Sequence, residues 1–558
     1  MKFDDILERL GEFGPSQRRL YILLSLPAIQ NAVIGMVIFV FLFAVPEHRC
    51  AIPGLKNDTF QIQNEAHADL INRTIPLVID NHGDLTQSSC DIYSMSDNAS
   101  SLNLSTITEP CHKWKYDKSV YHSTVAQTMD LVCDRKLYVS HAKMMAMVGQ
   151  LVGVLIGGPM SDMFGRRRVI LTSTFVAVLL SICLALITNY YLIITVILVI
   201  AATNNVQYLS CFVFSMECVG PSKRMLVGVA MNLFWSVGNI IVALMVYLMR
   251  DWKTRQLVIS IPGVLFAYLY FLPDSPRWQY RRGKTAEANT TVMKLAKGNN
   301  VSLTQDMLDD VTCTLDTRQE QFWELLKSPV MLKRTLIVLY TWLAIGMGFF
   351  GLSMNVTNLS GNVYLNFLLF ALVEACAYVI CLLLMDRIGR KKMLCTAMLM
   401  AGLACSLSFV PFFVTEKPNK WVINILACLG NTCVSAGFAS VYVFTAELLP
   451  TTSRNFGMGL CSVFCRVGSI SSPYINDLTM HITGRYSQIL PMLVFGGVAF
   501  LAGLLVLLLP ETLNKKLPET IKDAEKLGTN VTAENRPTPA QDLRLLEREC
   551  DNNRTART

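Results

Sequence analysis

From Leu20 to Val45 the chain runs for 26 residues without a charged side chain. About 20 consecutive apolar residues cross the hydrocarbon core of a bilayer as a helix, which satisfies its own backbone polar groups there. The run therefore predicts a membrane span. The segment before it carries Asp4, Asp5, Glu8 and Arg9. That is long and acidic for the leader of a secretory signal, and no small-residue cleavage pattern follows, so the span is read as retained.

Eleven more apolar runs follow, at roughly 140–160, 169–188, 190–214, 225–248, 256–272, 335–353, 361–385, 393–414, 421–446, 455–477 and 487–509. The pattern predicts an all-α membrane protein of twelve transmembrane helices. Its parts are a segment 1–19, a six-helix half 20–272, a polar loop 273–333, a second six-helix half 334–509 and a polar tail 510–558 expected to be disordered. Composition agrees, with 16% charged residues where soluble chains carry about 25%. The net charge of +8 over 558 residues gives no reason to invoke nucleic acid. No phosphate loop, His-Glu-x-x-His or Cys-x-x-Cys motif is present, so ATP-driven transport, metal hydrolysis and redox catalysis lack support; no metal or cofactor is expected.

Lys and Arg in the short loops set orientation. With both termini cytoplasmic, the short inner loops hold ten basic residues and the outer loops six. Segment 46–139 then lies outside. It carries sequons at Asn57, Asn72, Asn98 and Asn103, expected to be glycosylated, and cysteines Cys50, Cys90, Cys111 and Cys133, enough for two disulfides of open connectivity. Sequons at Asn289 and Asn300 fall inside and are expected to stay unmodified. The loop histidines His48, His67, His82, His112 and His122 are expected to be solvated. These features favour the plasma membrane.

The halves echo each other. Asp162-Met-Phe-Gly-Arg166 returns 224 positions later as Asp386-Arg-Ile-Gly-Arg390. Glu217 precedes Arg224 by seven residues, as Glu447 precedes Arg454. Pro273-Asp-Ser returns 237 positions later as Pro510-Glu-Thr. Two such six-helix halves make the major facilitator fold. Asp162, Arg166 and Glu217, and Asp386, Arg390 and Glu447, are expected to clamp the inner helix ends by charge-assisted hydrogen bonds. Such pairs, with Arg224 and Arg454, would hold a gate shut and break when it opens. Plain positive-inside charge is the competing reading.

Gly157-Gly-Pro-Met-Ser-Asp-Met-Phe-Gly-Arg-Arg167, Asp274-Ser-Pro-Arg-Trp278, Phe350-Gly-Leu-Ser353, Ala446-Glu-Leu-Leu-Pro-Thr-Thr-Ser-Arg-Asn455 and Leu509-Pro-Glu-Thr512 follow in order. With the large first outer loop, this wording resembles solute carrier family 22, the organic ion transporters of the major facilitator superfamily. The likeness runs from about Phe13 to Thr520. Pro46-Glu-His-Arg-Cys50, Gly351-Leu-Ser-Met-Asn355, Val441-Tyr-Val-Phe-Thr-Ala-Glu447 and Arg466-Val-Gly-Ser-Ile-Ser-Ser-Pro473 look most like its carnitine and zwitterion branch. The resemblance implies an arginine at Arg466 in anion and carnitine carriers, where typical cation carriers have an acid. The chain departs from the family at Leu192–Thr195, which offers no arginine, and at Asn431 and Tyr378, where relatives often have a base.

Arg466 is mid-span, and a charge there costs about 2.5–3.5 kcal/mol or more on insertion scales, so it should face a cavity and a partner. One reading is an anchor for a substrate carboxylate; the other is a structural ion pair with Glu374 in the eighth span. Glu374 in turn could face an ammonium group, sodium or a proton. Together the two suit a zwitterion. Asn31, Asn204, Gln207 and Tyr208 are candidates for neutral oxygens toward sodium or substrate, against simple interhelical hydrogen bonding. Tyr442, Trp342, Phe350 and Phe349 could wall a quaternary ammonium group by cation–π contact, against plain packing.

The leading expectation is a secondary transporter of a carnitine-like zwitterion or organic cation by alternating access, with sodium or a proton as possible coupling ion. The rivals are an anion exchanger anchored by Arg466, a cation carrier using Glu374, and a non-transporting sensor on the same fold. Enzyme activity is not expected. The partners are the small organic ion and the lipid bilayer.

Overall fold

Most of the helices are as long as the apolar runs that predict them or longer, the third, ninth and twelfth being shorter. The computed structural model describes residues 3–79, 85–94, 108–304, 308, 327–359, 361–414, 419–450, 453–478, 489–515, 518 and 521–527. Twelve described stretches follow the twelve runs: Pro15–Phe41, Leu137–Phe164, Arg166–Leu184, Tyr190–Glu217, Arg224–Leu248, Trp252–Phe271, Pro329–Asn355, Val363–Ile388, Arg390–Leu407, Lys420–Leu448, Arg454–Asn476 and Leu490–Val506. They are spans one to twelve below, and the side bearing segment 46–139 is called the outer side. Ten of them are long and apolar enough to cross a membrane. The eleventh is diluted by Arg454, Arg466 and Asn476, and the twelfth has 17 residues.

Local chemistry sets several ends. Asn189, Asn362 and Asn419 cap the fourth, eighth and tenth spans with side-chain oxygens, and Ser328 caps the seventh with Pro329 behind it. The first span loosens into a π-helical turn at Val37–Phe41. The sixth continues as a 3-10 helix over Ile261–Phe271.

Small residues bring helices close. A Cβ at Gly149 would lie 2.2 Å from the Leu198 carbonyl, so the second and fourth spans touch backbone to backbone. In the second half, Gly346 meets the Cys465 carbonyl and Gly468 the Leu343 carbonyl, locking the seventh span to the eleventh.

Outside, the two halves close on each other. Phe39 meets Phe350 and Phe41 meets Phe367 edge-on, at 5.6 and 5.0 Å between ring centres. Tyr364 donates to the Val120 carbonyl and packs against Tyr247. Ser140, at the outer end of the second span, donates to Asp477 at the end of the eleventh. The outer loop adds three two-stranded antiparallel ribbons: His48–Cys50 with Trp114–Tyr116, Leu77–Ile79 with Leu85–Gln87, and Asp91–Tyr93 with Thr108–Pro110.

Two polar segments are more ordered than the sequence suggests. In segment 1–19, helix Phe3–Arg9 buries Phe3, Ile6 and Leu7 against Tyr280, Val292 and Leu295 of the loop between halves. The tail was expected to be disordered from 510, yet Ile521–Lys526 is a helix. Its Ala524 packs on Met331 and Leu449, and Arg334 donates to the Ala524 and Leu527 carbonyls. Ala524's packing on two apolar side chains and one arginine at the helix C-terminus dock it. Residues 528–558 lie outside the described part.

Candidate functional site

Arg466 reaches across the halves. Its guanidinium donates to the Gln150 side-chain oxygen of the second span at 2.6 Å and to the Asn205 oxygen of the fourth at 3.4 Å. Asn205 is itself fixed by a 2.6 Å bond to the Gln150 carbonyl. The guanidinium lies over the Phe350 ring, 5.7 Å from its centre. Among the described residues no carboxylate comes within 4 Å of it. The expected alternative, an ion pair with Glu374, is therefore not formed. The reason is rotational: Arg466 faces the seam of the second and eleventh spans, whereas Glu374 faces the seam of the fifth and eighth.

Glu374 is 3% exposed. One carboxylate oxygen accepts from Asn239 of the fifth span at 3.0 Å, the other from Tyr378, one turn along, at 3.1 Å. Beside it is a cavity with room for about one water molecule, also lined by Ser353, Phe367, Phe370 and Asn431.

From Phe350 beside Arg466 an aromatic wall runs along the second half. Trp342 meets Tyr442 at 4.4 Å, Tyr442 meets Phe438 at 5.6 Å, Phe438 meets Phe349 at 5.3 Å, and Phe349 meets Phe350 at 5.2 Å. Phe212 of the first half touches Tyr442 at 6.1 Å. Trp342 is fully buried and donates to Thr445, so it backs the wall and does not line it in this conformation. Tyr208 stacks edge-on with Trp235 and donates to Asn232 at 3.4 Å.

The expected neutral ligands divide. Gln207 is turned to the third span, where it donates to Thr174, so it packs within the first half. Asn204 is buried. Asn31 is 3% exposed, and neither end of its amide finds a partner.

The inner clamps are built twice. Arg166 grips Glu217 through Nε and a terminal nitrogen, at 3.1 and 2.8 Å, and Asp162 at 2.6 Å. Arg390 reaches Glu447 through Nε at 3.2 Å and Asp386 at 2.8 Å. All these pairs stay within one half. Among the described residues none bridges the inner ends of the two halves, so the pairs do not themselves tie a gate shut here. Arg224 turns to Asp4, shared with Arg277, at 2.6 and 3.0 Å. Arg454 donates to the Leu449 carbonyl.

Asp274 and Glu511 complete the clamps and were not singled out from sequence. Asp274 accepts from the backbone N–H of Arg166 and Arg167, Glu511 from that of Arg390 and Lys391. Each carboxylate thus caps a helix N-terminus. The repeated Pro-Asp and Pro-Glu pair was the available signal. Gln150, Asn205 and Asn239 gave none, because amides are common in such spans.

In the outer loop, Cys50 bonds Cys111 and Cys90 bonds Cys133. Asn57 and Asn72 are exposed; Asn98 and Asn103, like His82, lie outside the described residues. Asn289 is buried and accepts from Tyr280. His67 is not solvated as expected. It is 4% exposed, hydrogen-bonded to Asp58 at 3.1 Å, and Asp58 also takes Arg49 at 2.5 Å. Burial pushes the Asp58 carboxyl up, but the bonds from Arg49, the Ile52 N–H and His67 outweigh that and hold it below the usual aspartate range. His48 lies beside the Cys90–Cys133 pair, whose sulfurs are committed to each other.

Comparison with known proteins bears on this geometry. Residues 93–523 match the family model described as "Sugar (and other) transporter". The "Organic cation transporter protein" of Drosophila melanogaster is 33% identical over 545 residues, covering 95% of each chain. The "Organic cation/carnitine transporter 2" of Homo sapiens is 31% identical over 538 residues, covering 93% of each. Among solved structures, a partially occluded inward-open form of the xylose transporter XylE from E. coli superposes with a TM-score of 0.60. It covers 90% of this chain and 99% of its own at 13% identity, which speaks to fold alone.

Proposed function

This chain belongs to the sugar (and other) transporter family and, within it, to solute carrier family 22 of the major facilitator superfamily, and on that premise we propose that it carries a carnitine-like zwitterion or an organic cation with a carboxylate arm. It is a multi-pass secondary transporter and not an enzyme. The observation that supports this substrate class is the guanidinium of Arg466. It is held in place by two amide oxygens and a phenyl ring, and among the described residues no carboxylate lies within 4 Å to neutralise it. A fixed, uncompensated planar fork is a bidentate receptor for carboxylate. The adjoining Phe349–Phe438–Tyr442 wall offers the cation–π surface that an ammonium end needs.

In this reading the halves rock about Arg466, and Asn205 and Gln150 release the guanidinium when substrate arrives. Segments 20–272 and 334–509 are the moving halves. The termini are cytoplasmic, and the disulfide-bonded, sequon-bearing loop faces outward at the plasma membrane. Sodium is the coupling ion of choice for a zwitterion that carries no net charge.

The test is uptake of labelled carnitine, in sodium or N-methylglucamine buffer, by cells with the protein at their surface. Arg466→Glu should abolish uptake while surface abundance stays normal. Wild-type levels of uptake by Arg466→Glu would sink the reading. An anion exchanger anchored by Arg466 would instead trade dicarboxylates without sodium.

A further inference from the structure

We propose that Glu374, Asn239 and Asn431 form a site for one dehydrated monovalent metal ion, sodium being the probe, at the seam between the halves. The inference rests on the transport reading for the ion's role, but not for its binding.

Four observations carry it. Glu374, Asn239 and Asn431 are 3%, 2% and 1% exposed, and all line the same water-sized cavity. Both oxygens of Glu374 accept hydrogen bonds, from Asn239 and Tyr378. Each oxygen accepts one bond and keeps a further lone pair free for the cavity. No Lys, Arg or His among the described residues comes within 4 Å to balance the charge. The side-chain oxygens of Asn239 and Asn431 are buried without any partner.

A buried acceptor left unpaired costs about 1–3 kcal/mol, and a buried unpaired charge more. One ligand answers both deficits: a small cation that takes the carboxylate and the two amide oxygens together. Ser353 donates its proton to the Phe349 carbonyl and keeps its lone pairs for the cavity. A water molecule would satisfy the amides and a proton would neutralise the carboxyl, whereas one small cation answers both at once. A trimethylammonium group is several times too large for the space. Hard cations favour oxygen ligands, and a single carboxylate favours a single positive charge.

The position gives the site a role. Asn239 belongs to the first half, Glu374 and Asn431 to the second. An ion held by all three stabilises the closed outer mouth and is released when the fifth and eighth spans part. That couples it to alternating access. The sequence offered Glu374 among several groups that could face sodium, beside Asn31, Asn204 and Gln207, of which Gln207 is committed to Thr174; it gave no sign of Asn239 or of Asn431 as ligands.

The experiment is binding of radioactive sodium to the purified full-length protein in lipid nanodiscs, without organic substrate, read by scintillation proximity. Wild type should bind saturably. Glu374→Gln and Asn431→Leu should each weaken binding roughly tenfold or more, the loss of a contact to a charged ligand. Asn431→Asp should tighten it or admit calcium, which no folding defect can mimic. Asn31→Ala and Arg466→Gln should bind sodium as wild type does. No saturable binding, or unchanged binding in Glu374→Gln, overturns the site; so does loss in Asn31→Ala with retention in Glu374→Gln. Labelled-carnitine binding measured on the same samples separates the two readings. Sodium bound without carnitine removes the substrate proposal alone, and carnitine bound without sodium removes this one.

Discussion

At the inner end of the third span, Arg166 holds Glu217 by two bonds, with the two side chains 3% and 9% exposed. At the matching place in the other half, Arg390 holds Glu447 by its Nε alone, with exposures of 11% and 22%, and Thr512 takes the second oxygen of Glu447 at 2.6 Å. The plan is the same and the tightness differs. A bidentate buried pair is rigid, because breaking it strands two charges out of water. A single-contact pair that shares its carboxylate with a hydroxyl can rearrange at lower cost. The comparison assigns rigidity to the first half and adjustability to the second.

The largest effect should come from Arg166→Ala. Removing one partner of a buried pair costs about 3–5 kcal/mol, so this protein should melt far below wild type in detergent and reach the surface poorly. Arg390→Ala should cost less, about 1.5–3 kcal/mol for bonds to a charged group about a fifth exposed. Equal losses in thermal melting would break the comparison. Asp162 and Asp386 are more than half exposed and should matter little to stability in either half.

Next come the glycines before each arginine. Gly165 and Gly389 have φ of +98° and +109°, a region that other residues avoid. A Cβ would sit 2.6 Å from the Asp274 or the Glu511 carboxylate. Either Gly→Ala change should cost about 1–3 kcal/mol from backbone strain. Gly165→Ala should be the worse, since Trp278 also stands 3.0 Å from that Cβ and is packed in place, whereas Gly389 meets only the end of Glu511. A larger loss at Gly389 would reverse the order of rigidity.

A smaller effect is expected from Thr512→Val, which leaves one Glu447 oxygen without its donor. One hydroxyl hydrogen bond to this partly exposed carboxylate is worth about 0.5–1.5 kcal/mol. If the second half is the adjustable one, the change should alter transport rate more than melting temperature. A drop in melting with no change in rate would place Thr512 among plain structural contacts.

Much of this was legible in the sequence because it is periodic or repeated. Apolar runs of the length of a bilayer marked the spans, and a shared wording at near-constant offset marked the two halves and their clamps. What escaped is set by rotation and long-range pairing. Arg466 and Glu374 both lie mid-span, so depth suggested a pair; the direction in which each helix faces sends them to different seams. The caps on the third and ninth spans come from Asp274 and Glu511, more than a hundred residues downstream of the helices they cap. His67 looked like one more loop histidine because nothing local marks its burial against Asp58 and Arg49. The Ile521–Lys526 helix is too short for its periodicity to stand out from a polar tail.

The smallest effect sharpens the comparison in acid. Burial pushes the Glu511 carboxyl up, but the N–H groups of Lys391, Leu513, Thr512 and Lys392 more than offset it, leaving the group below the usual glutamate range. A carboxyl whose folded value is depressed stabilises the fold above its unfolded value, about 4.3, and loses that contribution as pH falls through the lower folded value. Glu511→Gln should therefore melt below wild type at neutral pH, and the gap should narrow as the pH drops beneath about 4. The same titration on Arg390→Ala tests whether the cap and the clamp act together. With Arg390 removed, a gap that still closes in acid means that Glu511 holds the ninth span through its backbone alone. A gap that vanishes at every pH means that the second half's clamp is one cooperative unit, as rigid in its own way as the first.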